Sequence, residues 1–287
     1  MCKYFLCVDR VTRYRYGYVD LSNLKINLET AMAWRKFPYP DPSYIYSADS
    51  LKKNWKRLHT GDAEKCPDSA PLLAAWSAFH AGDFEPACTA GLKLGMDGYT
   101  VANKATCIYA NYLEQERERK IRLFEDVSER CVEQQKACPK LASGYYWQAY
   151  ALGRYAQEIS VLAALAQGIA SKIKHCLDMA IRLEPKHADA YIARGVYNAE
   201  IIDKVGAVIG GLTYDVKESD GIAMFRHALE LNPDSAIARI EYANGLVMLK
   251  GKNKMAEALT LYREAAAMKP MDAMERLDVQ LALEELE

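Results

Sequence analysis

From Asp83 to the end of the chain, apolar residues return at i, i+3, i+4 and i+7, the spacing that gathers them on one face of an α-helix. Val101, Ala105, Ile108 and Tyr112 make one such face; Ile121, Phe124, Val127 and Cys131 make the next. Pro139, Pro185, Pro233 and Pro270 each follow a helical pattern, where proline acts as a stop. No alternating strand pattern of useful length occurs after residue 50. The pattern predicts an all-α chain of about 12–13 helices. The run Glu114–Lys120 reads as a solvated turn and first helical turn.

Ahead of this region the pattern is less regular. Residues 1–20 are rich in Tyr and Arg, and the alternation over Arg13–Tyr18 suits a short strand or an extended arm. Ser22 is placed to cap a helix running to Trp34. Pro38, Pro40 and Pro42 then force extended backbone, so this stretch is a linker or a wrapping segment. The expected division is an arm over residues 1–50, with one helix and a Pro-rich linker, and a helical-repeat domain over 51–287. An octet W-x-x-[L/F]-H-x-G-D occurs at Trp55–Asp62 and again at Trp76–Asp83. Trp and Leu or Phe share a helix face, Gly supplies a left-handed cap, and Asp starts the next helix. His59 and His80 are expected in last helical turns, with a metal or acid/base role as the alternative.

A longer phrase recurs further on. Helices close on Met179–Pro185, His227–Pro233 and Ala265–Pro270 in nearly the same words. The last has Ala258, Tyr262, Ala265 and Pro270; the one before has Gly221, Phe225, Ala228 and Pro233; the first has Leu177, Ala180 and Pro185. Tyr191 and Gly195 fit the preceding helix of a unit. These residues resemble the tetratricopeptide repeat, a helix–turn–helix unit of about 34 residues. The resemblance implies a right-handed α-solenoid of helical hairpins. Pro139 to Pro185 and Pro185 to Pro233 span 46 and 48 residues, longer than that unit. The excess falls between the two helices of each hairpin, as two enlarged apolar connections at 159–169 and 205–214. Such inserts are similar to those of repeat proteins that accompany bacterial TRAP-type transporters, and more distantly to regulators of microtubule dynamics.

That resemblance implies a non-catalytic scaffold or adaptor with a protein or peptide in its concave groove. The groove residues it implies are Tyr146, Tyr150, Arg154, Val196, Glu200, Asn244 and Met248. The alternative is a carrier or chamber for an apolar small molecule, a transport accessory walled by the inserts, through Leu162, Leu165, Val208, Ile209, Leu212 and Tyr214. Self-association into a homo-oligomer is a further use for so apolar a surface.

Composition narrows these readings. A formal net charge of −1 gives no basic field, which argues against nucleic acid. Eight cysteines without CxxC or Cys/His ligand spacing point to inert thiols and a reducing cytoplasm; Cys131 and Cys138 are the one close helical pair. The periplasm would follow only if an upstream leader were missing. No apolar run reaches the length of a membrane span. No P-loop, nucleophile elbow or HExxH occurs, so no enzyme, no metal and no cofactor is expected. His187 and Asp189 follow Pro185, where helix capping accounts for them.

Overall fold

The computed structural model describes residues 33–287, which form thirteen α-helices joined by short turns, without a strand. The helices are α1 (Ala48–Leu58), α2 (Ala70–Ala81), α3 (Phe84–Lys93), α4 (Tyr99–Tyr112), α5 (Arg117–Ala137), α6 (Ala142–Ile159), α7 (Val161–Ala166), α8 (Ile169–Leu183), α9 (Ala188–Tyr214), α10 (Glu218–Leu231), α11 (Ala236–Lys250), α12 (Met255–Ala266) and α13 (Ala273–Leu286). The arm read over residues 1–20, and most of the helix from Ser22, lie outside the described residues. Where that helix should end, Ala33 to Phe37 are not helical.

Helices pack in sequential hairpins, α2 with α3, α4 with α5, α6 with α8, α9 with α10 and α11 with α12, and successive hairpins stack. This is the α-solenoid the repeat spacing predicts, in which each unit hides its apolar face against its neighbours. Phe225 of α10 shows how the repeat residues do this. Its ring is fully buried and slots between Gly195 of α9 and Gly245 of α11. A Cβ at either glycine would stand 2.8 or 2.5 Å from that ring, so the bare backbone is what lets three helices meet. Ala228 is likewise buried beside Phe225, and Ala258 and Ala265 are buried with Tyr262 in the next cluster.

The two enlarged connections take different forms. In the first, Ser160 (φ 99°) and Gly168 (φ 71°) turn the chain about the short helix α7. In the second, α9 runs on beyond its expected end, kinks at Gly206 (φ 80°) and finishes at Asp215 in the left-handed region. Its tip presents Val208, Ile209 and Leu212 to solvent, the last 86% exposed.

The Pro-rich stretch wraps. Trp34 stacks on Tyr109 at 4.1 Å, and Phe37 is buried edge-on to Phe84. Phe37 also covers Gly82, whose φ of 88° is the left-handed cap expected of the octet. Gly61, the matching position, does not adopt that conformation; Ala63 does, at φ 51°. Asp62 starts no helix either. Glu114 departs from the solvated run assigned to it: it is buried, takes the Tyr109 hydroxyl at 2.9 Å and accepts the Gln115 and Glu116 amides.

The solenoid closes on itself. The last helix, α13, packs against α2, and Ala273 and Leu277 share an apolar cluster with Leu51, Trp55, Trp76 and Tyr109. Polar contacts fasten the same joint. Tyr46 donates to the Met271 carbonyl at 2.8 Å, and Arg57 meets Glu275 at 2.6 Å and Asp234 at 3.4 Å. His80 Nδ1 donates to Asp272 Oδ2 at 2.7 Å, across 192 residues of sequence.

Candidate functional site

Closure turns the inner face of the solenoid into a lined interior. Part of that interior is a buried polar cluster built from the repeated octet. His59 Nδ1 donates to Asp62 Oδ1 at 2.9 Å, and Lys104 Nζ reaches Asp62 Oδ2 at 2.6 Å. The Nε2 atoms of His59 and His80 approach to 3.3 Å. Burial raises the Asp62 carboxyl, but Lys104 and His59 outweigh it and hold the group well below the usual carboxylate range. Burial also pushes Lys104 down, and Asp62 more than restores it. Burial takes His59 down to about 4, so its ring is neutral near pH 7. Lys104 joins Asp62 across 42 residues and His80 joins Asp272 across 192, which is the geometry of a structural brace.

Beside the cluster lies a cavity of about 150 Å³. Helix α6 gives it Tyr146, Trp147, Tyr150 and Arg154; α9 gives Asp189, Ile192, Val196 and Glu200; α13 gives Met274 and Asp278. The insert helix α7 closes one side with Val161, Ala164 and Leu165. Most of the wall is apolar. Its charged groups are mostly satisfied by each other. Arg154 meets Glu241 at 3.0 Å, Gln157 donates to Glu200 at 3.2 Å, and Tyr112 donates to Asp278 at 2.5 Å. Burial pushes Asp278 well above the usual carboxylate range, more than the Tyr112 bond lowers it.

Asp189 is different. Its backbone N–H donates to the Gly61 carbonyl at 2.9 Å, but among the described residues its carboxylate accepts no hydrogen bond. Burial, with Asp62 adding to it, raises its pKa to about 7. Gly61 is the floor under this group: a Cβ there would stand 2.5 Å from Asp189 Oδ1. The glycine of the first octet therefore serves close approach and not turn geometry. The neighbouring His187 caps α9, its Nδ1 accepting from the Ala190 amide at 3.3 Å, and burial holds it neutral, at about 4.

Of the groove residues named from sequence, Tyr146, Tyr150, Arg154, Val196 and Glu200 all line the cavity. Asn244 does not; it accepts from the Tyr262 hydroxyl between α11 and α12. Met248 faces solvent. Of the insert residues, Leu165 is on the cavity wall, Leu162, Val208, Ile209 and Leu212 are exposed, and Tyr214 packs on the cluster around α8 and α9. Sequence reasoning passed over Asp189 as a capping residue and missed Lys104, Asp272 and Asp278. Lys104, the sole charged residue in Tyr99–Tyr112, was the one visible signal of a buried ion pair.

Among the described residues, no group of three His, Cys, Asp or Glu side chains is arranged to hold a metal ion. No helix among them is long and apolar enough to cross a membrane. Cys88, Cys107, Cys131 and Cys176 are buried free thiols, and Cys138 is free and partly buried.

No family model matches the chain. No curated protein matches it either. Among solved structures it is similar to a thermophilic TPR protein from Thermus thermophilus, at 19% identity and a TM-score of 0.52, over 74% of this chain and 97% of that one. With the hairpins, the small residues at their crossings and the helix-ending prolines, this likeness establishes that the chain has a tetratricopeptide-repeat fold.

Proposed function

We propose that this protein is a binding protein, not a catalyst, and that it holds a small, largely apolar molecule in the chamber between α6, α8, α9 and α13. One observation carries the reading: residues from the inner helices and from the first insert converge on a single apolar cavity inside a closed solenoid. Size and lining favour a small occupant. A cavity of about 150 Å³ has room for a benzene-sized ligand. Its mostly apolar wall of aromatic and aliphatic side chains suits such a body better than a peptide backbone, which needs partners for its amides. An adaptor role, the usual use of this fold, would have to employ an outer surface, and the exposed tip of α9 with Val208, Ile209 and Leu212 is the apolar one available.

Calorimetric titration with 2-phenylethanol, a neutral ring-sized probe, tests the chamber. The probe should bind the full chain and fail to bind Val196→Phe, whose added ring fills the cavity. Equal binding to both proteins, or to neither, refutes the chamber. Far- and near-UV circular dichroism of the variant reports whether its fold is kept.

A further inference from the structure

The wall of the chamber is apolar and aromatic, yet it carries four carboxyl groups, Asp189, Asp278, Glu200 and Glu241, against the single guanidinium of Arg154. Three of the four are matched by Tyr112, Gln157 and Arg154. The fourth, Asp189, is not. A half-buried carboxylate that faces a mostly apolar cavity without a donor is costly, and folded proteins rarely keep one without a use. The surroundings supply only part of its counter-charge, since Lys104 lowers the group less than burial and Asp62 raise it. Lys104, the nearest cation in the polar cluster, is already held by Asp62 at 2.6 Å. His187, two residues before Asp189, is neutral and uses Nδ1 on its own helix. The protein also positions the group, since Gly61 leaves room for the carboxylate and its carbonyl holds the Asp189 backbone.

Aromatic rings line the same cavity as this acid. Tyr146, Trp147 and Tyr150 of α6 contact one another with centroids 4.9–6.3 Å apart and line the same wall. Ring faces attract a cation and repel an anion. From these features, and resting on the chamber reading above, we infer that the occupant is a primary or secondary amine on a ring-sized apolar body, its ammonium hydrogen-bonded to Asp189. Arg154 does not oppose this, because Glu241 lies 3.0 Å from it. An anionic ligand of the same size would meet the ionised form of Asp189 with no free cation beside it, and should bind more weakly.

An ammonium on Asp189 must also displace the proton that burial favours there. With the free group titrating near 7, binding at pH 7 releases a fraction of a proton, and at pH 8.5 almost none.

Three probes of one shape test the inference: 2-phenylethylamine, 2-phenylethanol and phenylacetate, titrated at pH 7.5 into the full chain. The amine should bind at least tenfold tighter than the alcohol, and phenylacetate weakest. Asp189→Asn should bring the amine down to the level of the alcohol. For the unaltered protein, amine titrations in two buffers of different ionisation enthalpy should show proton release that fades by pH 8.5. Equal affinities, a preference for phenylacetate, an amine affinity indifferent to Asp189→Asn, or no proton release overturns the inference. If the alcohol binds the natural chain and not Val196→Phe while the amine gains nothing, the chamber stands and the amine assignment alone falls.

Discussion

Replacing Asp272 by Ala should unlatch the solenoid. This residue does two things at the joint between α2 and α13. It caps α13, accepting the Glu275 amide at 2.8 Å, and it accepts from His80 Nδ1 at 2.7 Å. Both it and His80 are essentially inaccessible to water. Losing a helix cap costs about 1 kcal/mol. Leaving the His80 N–H buried without an acceptor costs about 1–3 kcal/mol more. The expected total is therefore about 2–4 kcal/mol, read by urea denaturation. Ser235→Ala is the control, because the Ser235 side chain caps α11 through the Ala238 amide and its other bonds are backbone ones that alanine keeps; it should cost only about 1 kcal/mol. Native-state hydrogen exchange separates local from global effects. In Asp272→Ala the amides of α13 should lose protection before those of α9 and α10. Since Met274 and Asp278 belong to the cavity wall, probe binding should weaken along with it. If Asp272→Ala costs no more than Ser235→Ala and α13 stays as protected as in the natural chain, the His80–Asp272 contact does not hold the joint.

Three further outcomes are expected. Lys104→Met, which keeps the volume but removes the cation beside Asp62, should cost about 3–5 kcal/mol in urea denaturation, and adding Asp62→Asn should recover part of it. Gly245→Ala should cost about 1–3 kcal/mol, because the new methyl would stand 2.5 Å from the Phe225 ring and the site is packed on every side. Asp189→Asn should stabilise the protein in a pH-dependent way. The folded state holds the Asp189 proton up to about pH 7 while the unfolded state releases it near 3.8, so this residue costs stability as pH rises between those values. The gain from Asp189→Asn should be small at pH 4 and grow by about 1.4 kcal/mol for each pH step across that interval, reaching a few kcal/mol at pH 8; a pH-independent gain would refute the assignment.

The hairpins were legible because their signals are local. Helical spacing, the small residues at crossings and the closing prolines all act within a turn or two of where they stand, and Phe225 between Gly195 and Gly245 is the contact they imply. The extra length between Pro139 and Pro233 also showed that two hairpins carry inserts, though not that one would become a short helix and the other a kinked extension. The joint between α2 and α13 left no such mark. A bond from His80 to Asp272 depends on how the small rotations between units accumulate around the ring, and no spacing in the sequence encodes that sum. The same gap hid the site. Asp189 looks like a first-turn acid on α9, where acids are common, and only the approach of Gly61 from the other end of the chain reveals a carboxylate without a donor. The two octets were read alike because their sequences are alike, yet Gly82 turns the chain whereas Gly61 makes room for a neighbour.

Seating α13 against α2 gives this protein a different folding behaviour from that of an open array. Open arrays can lengthen or shorten by whole units, and their stability changes step by step along a line of nearest neighbours. Here, deleting the final helix would uncover Trp55 and Trp76 at the opposite terminus, and inserting a unit would leave the last helix pointing past its seat. Contacts spanning about two hundred positions raise the contact order, so the chain should mature late and cooperatively, with the C-terminal segment required before the N-terminal one is secure.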